Sequence, residues 1–304
     1  DPIHTANADT LVDLLKEGAH DCYIFNAILT APDGAVLHRG PLPLLGDIVA
    51  TSIDKVVELV GLVNTLAGIS NIIQTRGHLD VERGLQWMQK SKIYSHVAWF
   101  VEANRNSSVA LVNCPSVYYR ANAYAEGHWA KAAERFNVQT QYFWSLGITR
   151  VINELIDRGS LSPAQVGGVY EIRFQLNDPG SRHRLLDDIV FQTFRQLEIA
   201  AGTSDMRERF RDEEFSEIRR LALRCDPSFY DIMAVLEEAH QTICGKDILG
   251  MRGAVAQKMA ASFLDLYHKR QAGSSYLCRF ACYFHDFEIY RMPLCFVGVR
   301  RNKP

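Results

Sequence analysis

The chain has 304 residues, 47% of them hydrophobic and 22% charged, with 33 Lys plus Arg against 35 Asp plus Glu and a formal net charge of −2. Those proportions exclude intrinsic disorder, a collagen repeat and a small disulfide scaffold. They also argue against a protein whose main task is coating nucleic acid, since such proteins are usually basic.

Taken in chain order, Thr10 to Glu17 reads as a short amphipathic helix with Leu11, Leu14 and Leu15 on one face. Tyr23 to Leu29 is rich in β-formers. Pro32-Asp33-Gly34 then leads into Ala35-Val36-Leu37, a hairpin signal in which Pro presets φ and Gly supplies a left-handed position. From Asp47 to Asn71 the apolar residues follow a helical period on two faces, which predicts one long buried helix. Val81 to Ala103 reads as a second long helix, Val117 to Phe136 as a third, and Thr140 to Arg158 as a fourth, ended by Gly159. Ser162-Pro163 marks a helix start, with Pro at the first helical position. Ser181 caps an expected helix running to about Ala200. Further helices are expected over Glu213 to Leu223, Ser228 to Cys244 and Ala254 to Gln271. Near the end, Tyr276, Cys278, Phe280, Cys282 and Phe284 alternate as in a strand, and Leu294 to Val299 is a second β-like run.

The expected fold is therefore mainly α. A large helical bundle domain, with its helical body at about 47–272, carries a small β element built from the N- and C-terminal segments 22–38 and 275–300. A single domain spans 1–304. The longest mild apolar run, Val56 to Ile73, is interrupted by Glu58, Gly61, Asn64, Gly68, Ser70 and Asn71, so no membrane span is expected. The opening Asp1-Pro2 has no leader character, and the seven cysteines lie mostly among apolar residues, as reduced thiols do. A cytoplasmic protein is expected.

The phosphate-loop, dinucleotide, zinc-hydrolase and nucleophile-elbow motifs are absent from the sequence. Glu237 with His240, and Asp265 with His268, have the i, i+3 spacing by which helices present metal ligands. Glu102 and Glu154 could add the carboxylates that a di-metal site needs. Long aromatic-rich helices with single histidines also suit a flat cofactor such as haem, which asks for one proximal imidazole and a distal pocket.

Three segments carry a family resemblance. Tyr119-Arg120 to Arg135-Phe136 sets two arginines around an Ala/Gly/aromatic stretch. Arg182-His183 has Asp188 five residues beyond the histidine. Gly202-Thr203-Ser204 follows after a gap. This order resembles the haem-dependent tryptophan/indoleamine dioxygenase superfamily, including the haem-dependent tyrosine hydroxylases. The resemblance implies a haem oxygenase acting on an aromatic amino acid with dioxygen. His183 would be the proximal ligand, with His240 the alternative, resembling the indoleamine branch. His78 would be the distal group. Arg120 would clamp the substrate carboxylate, with Tyr119 and Tyr124 packing beside it. Each residue also has a plain structural alternative: His183 at an exposed helix start, His240 in a core, and Arg120 stacked on surface tyrosines.

A second class is a non-enzymatic helical binding or assembly protein, for example a viral-type nucleoprotein binding RNA. A homo-oligomer is compatible with either class. The arginines from Arg207 to Arg224 do not favour RNA, because Asp205, Glu208, Asp212, Glu213, Glu214 and Glu217 alternate with them.

Overall fold

The structure is a computed structural model and describes residues 7–31, 33–39, 42, 47–63, 71–78, 80–91, 94–120, 147–172, 182–187, 189–190, 193 and 212–245. The chain divides into two compact units. The first is Asp1–Gln139 with Arg150–Leu185, and the second is Thr140–Thr149 with Leu186–Pro304.

The first unit is organised about strand β1, Cys22–Thr30. Every residue from Cys22 to Ile28 is buried, on both faces of the strand. A near-continuous apolar run of this kind belongs in the middle of a covered sheet. On one side β1 pairs antiparallel with β2, Val36–Arg39, and at its other end with β4, Ile72–Gln74. On the other side it pairs parallel with β5, Val109–Arg120, which pairs antiparallel with β3, Ile48–Thr51. The β1–β2 turn is the expected hairpin. Gly34 takes φ +87, the Gly34 N–H donates to the Ala31 carbonyl at 2.9 Å, and the Asp33 carboxylate accepts from the Ala35 N–H at 2.9 Å.

The β1–β5 register slips on both sides of Asn26, a bulge inside the sheet. Asn26 is fully buried and holds the slip together. Its amide donates to Asn113 Oδ1 at 3.0 Å, and its carbonyl oxygen accepts from the Leu42 N–H at 3.1 Å. Helix α1, Ala8–Glu17, covers one sheet face. Leu11 joins a core cluster with Tyr23, Phe25, Ala110 and Val112, and Leu14 packs against it.

This architecture overturns the helical bundle with a small terminal β element. Among the described residues the sheet takes strands from 48–51, 72–74 and 109–120, all inside the expected helical body. The run 47–71 misled because its period fused two elements. Ile48 and Val49 belong to β3. Ser52 then caps a helix of eight residues, α2, Ile53–Val60, which Gly61 ends at φ +93. The run 81–103 breaks into α3, Val81–Lys90, and α4, Ser95–Ala103, with Tyr94 left-handed at φ 60 between them. Val117 to Arg120 is strand, as its β-branched and aromatic residues favour. Residues 121–136 lie outside the described residues. Arg182–Arg184 is also strand, β7, paired with β6, Tyr170–Ile172, where a helix is expected. The terminal runs 275–300 lie outside the described residues.

Other expectations hold locally. A helix, α5, covers 147–157, and Gly159 follows at φ +68. Ser162 and Gln165 form a reciprocal capping box on α6, Pro163–Gly168. In the second unit α7, Asp212–Cys225, and α8, Tyr230–Gly245, are joined by a tight turn whose Asp226 accepts from the Ser228 N–H at 2.9 Å. Phe215, Ile218, Leu221 and Ala222 are buried on α7, and Ile232, Met233, Leu236 and His240 on α8. No helix among the described residues is long and apolar enough to cross a membrane.

Candidate functional site

The described residues expected around a haem fall on several elements. Arg120 and Tyr119 end β5, in register with Thr30 and Leu29 at the carboxyl end of β1. His78 closes a single turn, Arg76–His78, just after β4. There Gln74 is in register with Cys22 at the opposite end of β1, and the Thr75 N–H donates to the Asp21 carbonyl. Eight strand rises separate Cys22 from Thr30, about 26 Å. Tyr124 and Asp188 lie outside the described residues.

His183 sits in β7, directly opposite Glu171 of β6. Glu171 is fully buried, and its Oε1 accepts from the Leu62 and Val63 N–H groups at 2.7 and 2.9 Å. The carboxylate in register with His183 is therefore one that already holds the chain after α2. His240 belongs to the second unit. It is buried on α8, with its ring stacked flat on Phe215 at 4.9 Å between centroids. Glu237, its expected i, i+3 partner, pairs with Arg219 at 3.2 Å. Among the described residues no group of three or more His, Cys, Asp or Glu is placed to hold a metal ion.

Glu102 and Glu154 do come together, but with cations. Trp87 is buried on α3 and donates its indole N–H to Glu102 Oε2 at 2.8 Å. The Arg158 guanidinium lies 4.7 Å over the Trp87 ring and donates to Glu102 Oε1 at 3.3 Å and to Glu154 Oε1 at 2.8 Å. Lys90 also pairs with Glu154. The hydrogen bonds from Lys90 and then Arg158 hold the Glu154 carboxyl below the usual carboxylate range, against the opposing effect of burial. The same pairing with Glu154 pushes the Arg158 guanidinium up. This cluster locks α3 onto α4 and the end of α5. The role of Arg158 has no local sequence signal, because its partners lie 56 and more residues away on other helices, apart from Glu154 at i−4.

The locked helix presents a second apolar surface. Val81, Leu85 and Met88 are 68%, 55% and 59% exposed. At 100° per residue they fall within about 60° of one another on the helix circumference, well away from Trp87. Their 4–3 spacing is a helix-seam pattern, visible in the sequence once the Trp87 face is recognised as separate. On the same helix a Cβ at Gly84 would meet the Trp99 ring of α4 at an ordinary 3.8 Å.

No family model matches the chain, and no curated protein or solved structure does either.

Proposed function

We propose that this chain is a non-enzymatic binding and assembly protein. The observation that carries this reading is the exposed stripe Val81, Leu85 and Met88 on a helix whose opposite side is pinned by Trp87, Glu102 and Arg158. Contiguous apolar surface on a rigid element marks sites where another macromolecule docks, because leaving it in water forgoes the favourable transfer of apolar area. Three buried or half-buried carboxylates of the first unit serve structural pairs. Glu102 and Glu154 neutralise Arg158 and Lys90, and Glu171 accepts two backbone N–H groups.

The competing reading is the haem oxygenase, with His183 or His240 on the iron. An absorbance spectrum from the near ultraviolet through the visible, before and after adding hemin, separates the two. The binding-protein reading expects only the broad band of free hemin. A sharp Soret band that disappears in His183→Ala or in His240→Ala overturns it.

A further inference from the structure

We infer that the outer edge of β3 is a self-association contact, which pairs antiparallel with β3 of a second copy of this chain across a two-fold axis. This inference rests on the assembly reading and adds a partner and a contact distinct from the α3 stripe. β3 follows β5 at one end of the strand order. Its register with β5 sets Ile48 against Val112, Val49 against Leu111, Ala50 against Ala110 and Thr51 against Val109. The Asn113 N–H donates to the Asp47 carbonyl at 2.8 Å, so Asp47 and Asn113 form a directly bonded pair, which fixes the phase of the ladder. Directly bonded and non-bonded pairs alternate along antiparallel strands. Val49 and Thr51 therefore direct their backbone groups to β5, and Ile48 and Ala50 turn theirs outward. Among the described residues nothing pairs with that outer edge. Asp47, Ile48 and Ala50 are exposed, so the edge stands open to solvent.

An open edge matches another extended backbone, because its donors and acceptors recur at strand spacing. β3 matches itself in this way. With the axis beside Val49, the Ile48 N–H donates to the carbonyl of Ala50 of the partner subunit, and the Ala50 N–H donates to the carbonyl of Ile48 of the partner subunit. The symmetric bonds complete the set, so every outward backbone group of Ile48 and Ala50 is satisfied in both copies. The side chains match as well. Directly opposed residues share a face, so Ile48 lies beside the small Ala50 of the partner subunit and Val49 meets Val49 of the partner subunit, both apolar pairs. Asp47 meets Thr51 of the partner subunit, so no like charges oppose one another. β3 carries no Lys, Pro or bulge, the devices that usually keep sheet edges apart. Its brevity bounds the contact instead. Ser52 caps α2 directly after Thr51, so the pairing stops there and closes as an isologous dimer. A strand of 4 residues from each copy buries far less than the roughly 800 Å² per partner of a standard stable interface. The contact is therefore weak and concentration-dependent.

The test is amide hydrogen exchange of the whole chain, resolved at β3, together with sedimentation equilibrium, both from micromolar to millimolar. Val49 and Thr51 are protected by β5 at any concentration. Ile48 and Ala50 should exchange fast in the dilute chain and slow at least about twofold in the concentrated one, as the chain dimerises. Ala50→Pro removes one outward N–H and leaves the bonds to β5, since an edge strand tolerates Pro where its N–H faces solvent. Ile48→Lys sets two ammonium groups diagonally across the axis. Each variant should weaken dimerisation at least about tenfold, and far-ultraviolet circular dichroism checks that both fold. Ile48 is exposed, so its substitution tests the contact even where proline perturbs the strand. Self-association of the wild type that neither variant alters overturns the β3 contact while leaving the assembly reading in place. A wild type that stays monomeric, or Ile48 and Ala50 amides whose exchange ignores concentration, also overturns the contact, and the hemin spectrum then decides the broader reading independently.

Discussion

Glu102 accepts the Trp87 indole N–H and the Arg158 guanidinium with the same carboxylate, and only 8% of its side chain is exposed. Its removal would leave a buried indole N–H without its acceptor and take a counter-charge from Arg158. The expected cost of Glu102→Ala is about 2 kcal/mol, the usual penalty for orphaning a buried donor together with a charged bond. Glu102→Gln keeps an acceptor for the indole and should recover roughly half of that loss. Urea denaturation followed by tryptophan fluorescence measures both; equal midpoints for the two variants would mean that the indole bond contributes nothing. In the sequence Glu102 could be noticed only as a helical carboxylate open to metal. Its true partners, Arg83, Trp87 and Arg158, come from two other helices, and no local pattern reports them. Cys22 shows the same limit: its burial among apolar residues is legible, whereas the thiol's rise to about 12 comes first from that burial and then from Asp21.

Among the elements, two glycines make opposite predictions. Gly61 ends α2 at φ +93, and a Cβ there would stand 2.6 Å from Glu171 Oε2 and 3.0 Å from its Cα. Gly61→Ala therefore strains both the backbone and the Glu171 contact, at an expected cost of about 1–3 kcal/mol. Gly84 lies inside α3, where a Cβ would meet the Trp99 ring at an ordinary 3.8 Å. Gly84→Ala should stabilise by up to about 1 kcal/mol, through helix propensity and a smaller unfolded ensemble. Thermal melts of the two variants should thus move in opposite directions. The sequence displays both glycines in the same way, as single breaks in a helical period. Local signals were readable where one residue's chemistry sets the geometry, as at Asp33-Gly34 and the Ser162 capping box. They failed where a strand adjoins a helix. Ile48, Val49, Ile53, Val56 and Val57 satisfy a helical period although the first two lie in β3. They failed again at β7, where pairing with β6 overrides the helix expected after Ser181.

At the scale of the whole chain, the order of motifs along a sequence does not encode the distance between them. Parallel pairing of β1 with β5 carries Arg120 to one end of the sheet, while the short β4 leaves His78 at the other. A crossover of this kind leaves no trace in spacing or period. What the tertiary structure adds to the first unit is electrostatic linkage among helices, and that linkage has a pH signature. Glu154 joins α5 to Lys90 of α3, and Arg158 carries the link on to Glu102 of α4. The folded chain holds the Glu154 carboxyl below its unfolded value. A lowered folded value means that the unfolded chain binds the proton more readily. The contribution is then complete above the unfolded carboxylate range, about pH 4.3, and is lost as pH falls through the lower folded value. Differential scanning calorimetry on the acid side of pH 5 should show the wild type losing stability faster than Glu154→Gln, with the two curves converging as pH falls. Because the pair is partly exposed, raised salt should narrow the gap between them at neutral pH. Parallel curves across the acid range would mean that the Lys90–Glu154–Arg158 link is not maintained in solution, and the rigidity of α3 would then rest on Trp87 and Glu102 alone.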